Sequence, residues 1–592
     1  VSTDPEFHMQ RRFIVALFAI AASHVALAQN QAPELPSGWT PKKPVSTRQH
    51  MVAAANPLAV EAGHQILKQG GSAVDAAVAV QMVLNLVEPQ SSGIGGGAFM
   101  LFHNGRNGLL TAYDGRETAP AAAKPDRFLD KEGKPLKFYD AVVGGKSVGV
   151  PGTLRLLELA HRQYGKLPWA KLFEPAIALA EQGFAVSPRL NINIAGEKYL
   201  TQERAKAYFY NPDGTPLAVG HTLKNPAFAA TLKRIAAEGA DAFYQGEIAR
   251  DIVETARSHP TNPGDLTEAD LAGYKAKVRE PVCGPYRVYK VCGMPPPSSG
   301  GMTVLQIVGI LEPFDMKALG KGSLISVHLF SEAGRLAYAD RNQYLADPDF
   351  VKPPAGLTDP AYLRERSALI KLDASMGRGK AGTPAAAPAA QKKAAALRSF
   401  GAGSALEFPS TSHISVVDQF GNALAMTTTI EDMFGSRLMT RSGFLLNNEL
   451  TDFSFAPVDE GKPVANRVEA GKRPRSSMAP TIVYDGKGKV YMVAGSPGGS
   501  AIINYVAKTL IGVLDWGLDP QAAIDLPNVG SRNGPTELEK DTPVVALESK
   551  LKALGHETRV MEHTSGLQAI VRARSGWVGG ADPRREGTAA GD

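Results

Sequence analysis

The segment EFPSTSHISVVDQFGNALAMTTTIEDMFG, residues 407–435, constrains the fold more than any other stretch: two runs of β-forming residues flank the turn DQFGN and read as an antiparallel hairpin. Closing Asp418 against Asn422 carries the pairing back to Thr411 opposite Thr429, unless a bulge at Gly421 shifts the register by one. Facing threonines are ordinary sheet residues, so the pair alone indicates nothing more. The unusual point is where the strand starts. Residues 377–410, GRGKAGTPAAAPAAQKKAAALRSFGAGSALEFPS, are rich in Ala, Pro, Gly and Lys, have little with which to pack, and read as a linker or tail.

Around this hairpin the pattern alternates between helices and paired strands. NPLAVEAGHQILKQGGSAVDAAVAVQMVLNLVEPQ gives two helices broken by Gly70 and Gly71, the second capped by Ser72 with Asp75 in its first turn. SSGIGGGAFMLFHNG turns into a strand, GLLTAYDGRETAP supplies the next, and helical patterns dominate from about 150 to 280. After the linker, HISVVDQ, NALAMTTTI, GFLLNNEL, APTIVYDG and KVYMVAGS read as strands, followed by a helix in SAIINYVAKTLIGVLDWG. Hairpin turns demand antiparallel neighbours, so the fold class expected is α/β (α+β), a four-layer αββα sandwich with two stacked antiparallel sheets between helical layers, and not a Rossmann sheet.

At 592 residues, 44% hydrophobic and 21% charged, the chain can bury a large core. Its net charge of +6 is spread without a basic block or aromatic platform, which argues against a nucleic-acid site. Residues 1–8, VSTDPEFH, resemble a vector-derived remnant. Met9, Arg11 and Arg12, the apolar run from Phe13 to Ala22 and Ala26-Leu27-Ala28 form a typical export signal over 9–28, so a mature chain from Gln29, periplasmic or secreted, is expected. Beyond that run no apolar stretch is long enough to span a membrane. The two cysteines, Cys283 and Cys292, flank a Gly-Pro-Tyr turn; a disulfide is allowed in an oxidising compartment, and two buried free thiols fit the spacing equally. No Cys or His pair lies near them, so zinc is not expected there.

The motifs DGRETAP, PPPSSGG, TSHISVVD, LLNNELTDFS, KRPRSSMAPT and GSPGG occur in the order found in γ-glutamyltranspeptidases, and from about residue 50 to the terminal GGADPRREG the chain resembles that family of N-terminal nucleophile hydrolases. The resemblance implies that the precursor cuts itself between Ser410 and Thr411, giving a large subunit 29–410 and a small subunit 411–592 that form a heterodimer. The strand would then begin abruptly because a new chain begins there. A threonine hydroxyl is a poor nucleophile without a base, and a freed α-amine with a pKa near ~8 is a base attached to the nucleophile itself. Thr429 would fix the rotamer of the Thr411 hydroxyl.

An acyl-transfer site also needs an oxyanion hole, and in VAGSPGGSAIIN Gly498 and Gly499 follow a strand and open a helix with unpaired N–H groups. By resemblance these glycines hold the oxyanion; on their own they also fit a plain strand-to-helix turn, while a phosphate loop would lack its lysine. The resemblance implies that Arg116 clasps the α-carboxylate of a γ-glutamyl group bidentately with help from Ser476 and Ser477, and that Asp452, Glu449 and Glu431 accept from its α-ammonium. Glu431, two residues past Thr429, is expected on the same strand face. Two departures stand out. Glu431 replaces the Asn of several members, implying a more acidic ammonium site, and the loop 454–474 is shorter than the enteric enzyme's lid and lacks its aromatic gate, implying a more open cleft.

The expected activity is cleavage of the γ-glutamyl amide of glutathione and related compounds through a γ-glutamyl-Thr411 ester, passed to water or to an amino acid or peptide acceptor, with no cofactor or metal. A cephalosporin (glutaryl) acylase on the same scaffold is the nearest rival, and Asp452 argues against it because a glutaryl group leaves that carboxylate unpaired. An exported, non-catalytic anion-binding protein is the rival of another class.

Overall fold

Side-chain alternation along two strands of one sheet divides the interior in two. In Met51–Ala54 and Gly97–His103, the residues Val52, Ala54, Met100 and Phe102 join the helices Pro57–Lys68 and Ala73–Val87 in one core. Their alternates Met51, Ala53, Phe99 and Leu101 meet Ile482, Met492 and Ala569 of a second sheet in another. This period of two is what a sheet covered on both faces requires. The computed structural model describes residues 34–384, 400–403, 405, 407–408 and 410–592. The remnant, the export signal and the middle of the linker expected from the sequence lie outside the described residues.

The first sheet has seven strands in the order Thr588–Gly591, Met51–Ala54, Ser412–Val417, Ala423–Thr429, Gly97–His103, Leu110–Gly115 and Lys277–Arg279. The second also has seven: Val45–Thr47, Trp577–Ala581, Gln568–Arg572, Val490–Gly495, Thr481–Tyr484, Tyr289–Gly293 and Val282–Tyr286. Every pairing within them is antiparallel. Helices Gly300–Leu311, Leu324–Tyr344 and Ile502–Leu514 pack with the second sheet, completing the expected αββα order. The helix Ala73–Val87 begins with the capping box anticipated: Ser72 Oγ accepts from Asp75 N and the Asp75 carboxylate accepts from Ser72 N. Among the described residues no helix is long and apolar enough to cross a membrane.

The hairpin keeps its unshifted register, with Ser412 opposite Thr428 and Val417 opposite Ala423. Gly421 absorbs the turn at φ +79° and Asp418 N donates to Asn422 O at 3.1 Å, so no bulge forms. Cys283 and Cys292 face each other across the hairpin of the second sheet and are joined as a disulfide, with Cα atoms 4.1 Å apart.

Two expectations are corrected. GFLLNNEL is not a strand: apart from a single bridge between Leu445 and Met439 it is a loop ending in the 3₁₀ turn Glu449–Asp452. The Asn447 amide takes over the ladder's role, donating to Gly95 O and Gly149 O and accepting from Gly149 N and Glu449 N. The stretch 377–410 is also not loose throughout. Gly379 N and Gly382 N donate to Asn533 and Asp340, Gly401 N donates to Pro463 O, and Glu407 is buried; residues 385–399 lie outside the described residues.

Candidate active site

The end of the hairpin clamps one peptide bond from both sides. Ser410 Oγ donates to Gln90 O at 2.7 Å, Ser92 Oγ donates to Ser412 Oγ at 3.1 Å, and Arg585 Nη1 donates to Thr411 O at 3.1 Å. Thr429, the last residue of its strand, donates from Oγ1 to the Ser410 carbonyl oxygen at 3.0 Å. The Thr411 hydroxyl lies against the same oxygen and 3.2 Å from Thr429 Oγ1, which also accepts from Glu431 N at 2.9 Å. The Thr411 hydroxyl therefore has beside it a second hydroxyl that touches the same carbonyl oxygen.

Gly498 and Gly499 follow the strand Val490–Gly495 and open the turn that leads into Ile502–Leu514. Their φ values, +136° and +56°, are left-handed, and a Cβ would fall 2.4 Å from the Tyr505 ring at the first and 2.6 Å from Glu407 O at the second. Only glycine fits, and at Gly499 the reason is the close passage of the chain preceding Thr411.

Arg116, Ser410, Thr411, Thr429, Glu431, Glu449, Asp452, Ser476, Ser477 and Gly499 all line one cavity, with Gly498 directly adjoining in sequence. The space is ≈ 20 Å³, enough for about one water, and Glu407 and Phe408 also line it. Arg116 is fully buried. It donates to Glu449, Asp452 and the carbonyls of Pro474 and Arg475. Burial disfavours the charge of Arg116, but Glu449 and Asp452 outweigh it and hold the guanidinium more basic than usual. Burial pushes Glu431 and Asp452 well above the carboxylate range, with Asp452 and Asp432 adding to the first, and Glu407 and Glu449 adding to the second against the pull of Arg116. Burial also raises Glu449, against Arg116. One oxygen on each acid, Glu431 Oε1, Glu449 Oε2 and Asp452 Oδ1, is buried without a hydrogen-bond partner among the described residues.

The geometry departs from the sequence reading in three places. Glu431 does not reach the cavity by strand alternation: the strand ends at Thr429, and Glu431 is turned inward by a left-handed backbone at φ +76° and held by Asn448. The Arg116 fork is not free, since it grips the two acids meant for the ammonium. Ser477 Oγ donates to Glu407, a residue the sequence did not single out. Arg341, Glu407, Arg475 and Arg585 were likewise missed. Charged residues within the buried helix Leu324–Tyr344 and inside KRPRSSM were the available signal. Phe455, the one aromatic residue in loop 454–474, stacks on Phe128, while Phe138 meets Phe408, which lines the cavity, edge-on at 4.5 Å.

A buried cluster elsewhere, His328, Glu332 and His556, has metal-ligand spacing. Its ring nitrogens are already engaged with each other, with Lys371 O and with Thr536 Oγ1, and Arg335 pairs with Glu332, so it reads as a hydrogen-bond network.

The family model for gamma-glutamyltranspeptidase matches residues 59–592. The chain is 39% identical over 591 residues to the glutathione hydrolase proenzyme of Escherichia coli (strain K12), covering 97% of each. It is 38% identical over 585 residues to that of Bacillus subtilis (strain 168), covering 98% of this chain and 97% of the relative. Among solved structures, the cephalosporin acylase of Bacillus halodurans superposes with a TM-score of 0.79 at 26% identity, covering 93% of this chain and 97% of the other. A family match over nine-tenths of the sequence, on a scaffold with two antiparallel sheets and a threonine at the hairpin end, leads to one conclusion: the chain belongs to the γ-glutamyltranspeptidase family of N-terminal nucleophile hydrolases.

Proposed function

We propose that Thr411 is the nucleophile of a self-processing γ-glutamyltransferase and glutathione hydrolase, made as one chain and cut between Ser410 and Thr411. In maturation the Thr411 hydroxyl adds to the Ser410 carbonyl carbon and the peptide C–N bond breaks, leaving an ester. The α-amine is freed in that step, taking up a proton as the C–N bond breaks, and water then hydrolyses the ester, which restores the Thr411 hydroxyl and leaves a carboxylate on Ser410. Thr429 assists by accepting the Thr411 proton and donating its own toward the carbonyl oxygen. In turnover the freed amine is the base, the γ-glutamyl amide carbonyl takes the place of Ser410, and the N–H groups of Gly498 and Gly499 stabilise its oxyanion.

The observation that carries the substrate assignment is the trio of unpartnered oxygens on Glu431, Glu449 and Asp452. An α-ammonium has three N–H donors, and three buried acceptors in one cavity answer that demand. A glutaryl group has no such donors and would leave all three without partners, which disfavours the acylase reading. The products of cleavage stay together as a heterodimer, since the Ser412–Val417 strand pairs with Met51–Ala54 and the Ala423–Thr429 strand with Gly97–His103. Export to the periplasm or medium, through residues 9–28, is part of this reading. Turnover of glutathione measured against glutaryl-cephalosporin tests it: glutathione should be strongly preferred, and equal or reversed rates would reject the γ-glutamyl assignment.

A further inference from the structure

His50 is buried, and neither of its ring nitrogens has a hydrogen-bond partner among the described residues. A buried polar group left so is costly, and a metal ion is one way of meeting it. The residue immediately precedes the strand Met51–Ala54, and its ring centroid lies 5.5 Å from that of His64 in the helix Pro57–Lys68. Asp592 completes the group: its Oδ1 stands 3.1 Å from His64 Nε2 and its Oδ2 3.9 Å from His50 Nε2. One donor atom from each of the three residues falls within 4.8 Å of the other two.

Ordinary sheet pairing brings the three together. Thr588–Gly591 pairs antiparallel with Met51–Ala54, Gly591 opposite Met51, and just beyond it Arg48 N and Gln49 N both donate to Asp592 O, at 3.0 and 2.8 Å. A Cβ at residue 591 would collide with His50 O, so glycine there lets the strand close on His50. Two imidazoles and one carboxylate suit zinc, whereas calcium and magnesium take oxygen ligands. Donors about 2.0–2.2 Å from a zinc ion stand roughly 3.3 Å apart in a tetrahedron. The spacings here are near that, and the exposed Asp592 carboxylate can turn to close the rest. The Lys68 ammonium, 3.7 Å from Asp592 Oδ2, is a competing cation on an exposed side chain that can swing out to water.

We propose that His50, His64 and Asp592 bind a zinc ion, with water completing a tetrahedral shell, and that the ion clips the end of the edge strand Thr588–Gly591 to the first sheet. None of the three lines the Thr411 cavity, so the ion is structural and takes no part in the chemistry proposed above. In the cut protein His50 and His64 belong to the large subunit and Asp592 to the small one, and the ion then joins the two. That consequence, unlike the site itself, rests on the cleavage reading.

Zinc titration of tag-free protein stripped with a chelator tests the site. Wild type and the uncut Thr411→Ala chain should both bind zinc. His64→Gln, at a partly exposed helix position that tolerates the change, should weaken binding by about 100-fold or more, at least what loss of an outer-shell partner costs. Asp592→Asn should weaken it as well, and Lys68→Met should tighten it by removing the competing ammonium. No zinc binding by wild type, or equal affinity in wild type and His64→Gln, would overturn the site. In processed protein, zinc should raise the urea concentration at which the subunits separate, and His64→Gln should abolish that rise; zinc bound without it would overturn the clip. A wild-type chain that remains whole on a denaturing gel would reject the cleavage reading instead, and zinc binding by that whole chain would still decide the site.

Discussion

The Thr429 hydroxyl stands 3.2 Å from the Thr411 hydroxyl while donating to the carbonyl oxygen of Ser410, the residue that precedes Thr411. A single hydroxyl therefore couples the proposed nucleophile to the carbonyl it is proposed to attack. Thr429→Val keeps the β-branched shape and deletes that link, so processing should slow by about 100-fold, the lower range for a positioned proton-transfer group. A time course of subunit appearance on a denaturing gel checks this; wild-type kinetics would remove Thr429 from the mechanism.

Thr411→Ala should give an uncut, inactive precursor. Wild type should separate into pieces 29–410 and 411–592, the smaller beginning with Thr in N-terminal sequencing. Thr411→Ser retains the hydroxyl but not the methyl that restricts χ1, so it should process more slowly and turn over less. Cleavage of the Ala variant at the same bond would assign the cut to another protease.

Asp452→Asn keeps an acceptor and removes a charge. KM for γ-glutamyl substrates should rise by about tenfold or more, and glutaryl substrates should lose far less. Equal losses on the two classes would take Asp452 out of ammonium recognition.

Arg116 bridges Glu449, Asp452 and two backbone carbonyls, which no single ammonium can reproduce. Arg116→Lys should raise KM and, by leaving buried acids poorly paired, lower unfolding stability by about 3 kcal/mol. Denaturant unfolding alongside kinetics checks both; an unchanged KM would move Arg116 out of the substrate site.

His413 sits two residues beyond Thr411 with both ring nitrogens engaged, by Thr427 Oγ1 at 2.9 Å and Ser415 Oγ at 3.0 Å. Burial pushes its pKa down to about 3. The unfolded chain binds a proton there below about 6.5 and the folded one does not, so stability is complete above that value and falls as pH drops toward 3, by at most about 1.4 kcal/mol per unit. His413→Gln should flatten this acid limb in urea titrations at pH 5 and 7. An identical slope in wild type and variant would assign the loss to other groups.

Much of this molecule is written locally. The Asp418–Asn422 turn set the hairpin register, alternation along the strands required a sheet covered on both faces, and Ser72 with Asp75 marked a helix start, because turn, pleat and cap chemistry act over a few residues. The site residues were legible because they fall in short motifs. Tertiary structure decided what they touch. Asn447 converts GFLLNNEL from an expected strand to a loop by bonding to Gly95 and Gly149, and the left-handed backbone of Glu431 reaches the cavity where alternation alone did not lead. Arg341 meets Glu407 across 66 residues and Arg585 meets Thr411 across 174. Such pairs follow from which strands and helices close on one another, and no local period encodes them; a buried charge finds its partner only when the layers have packed and water has been excluded.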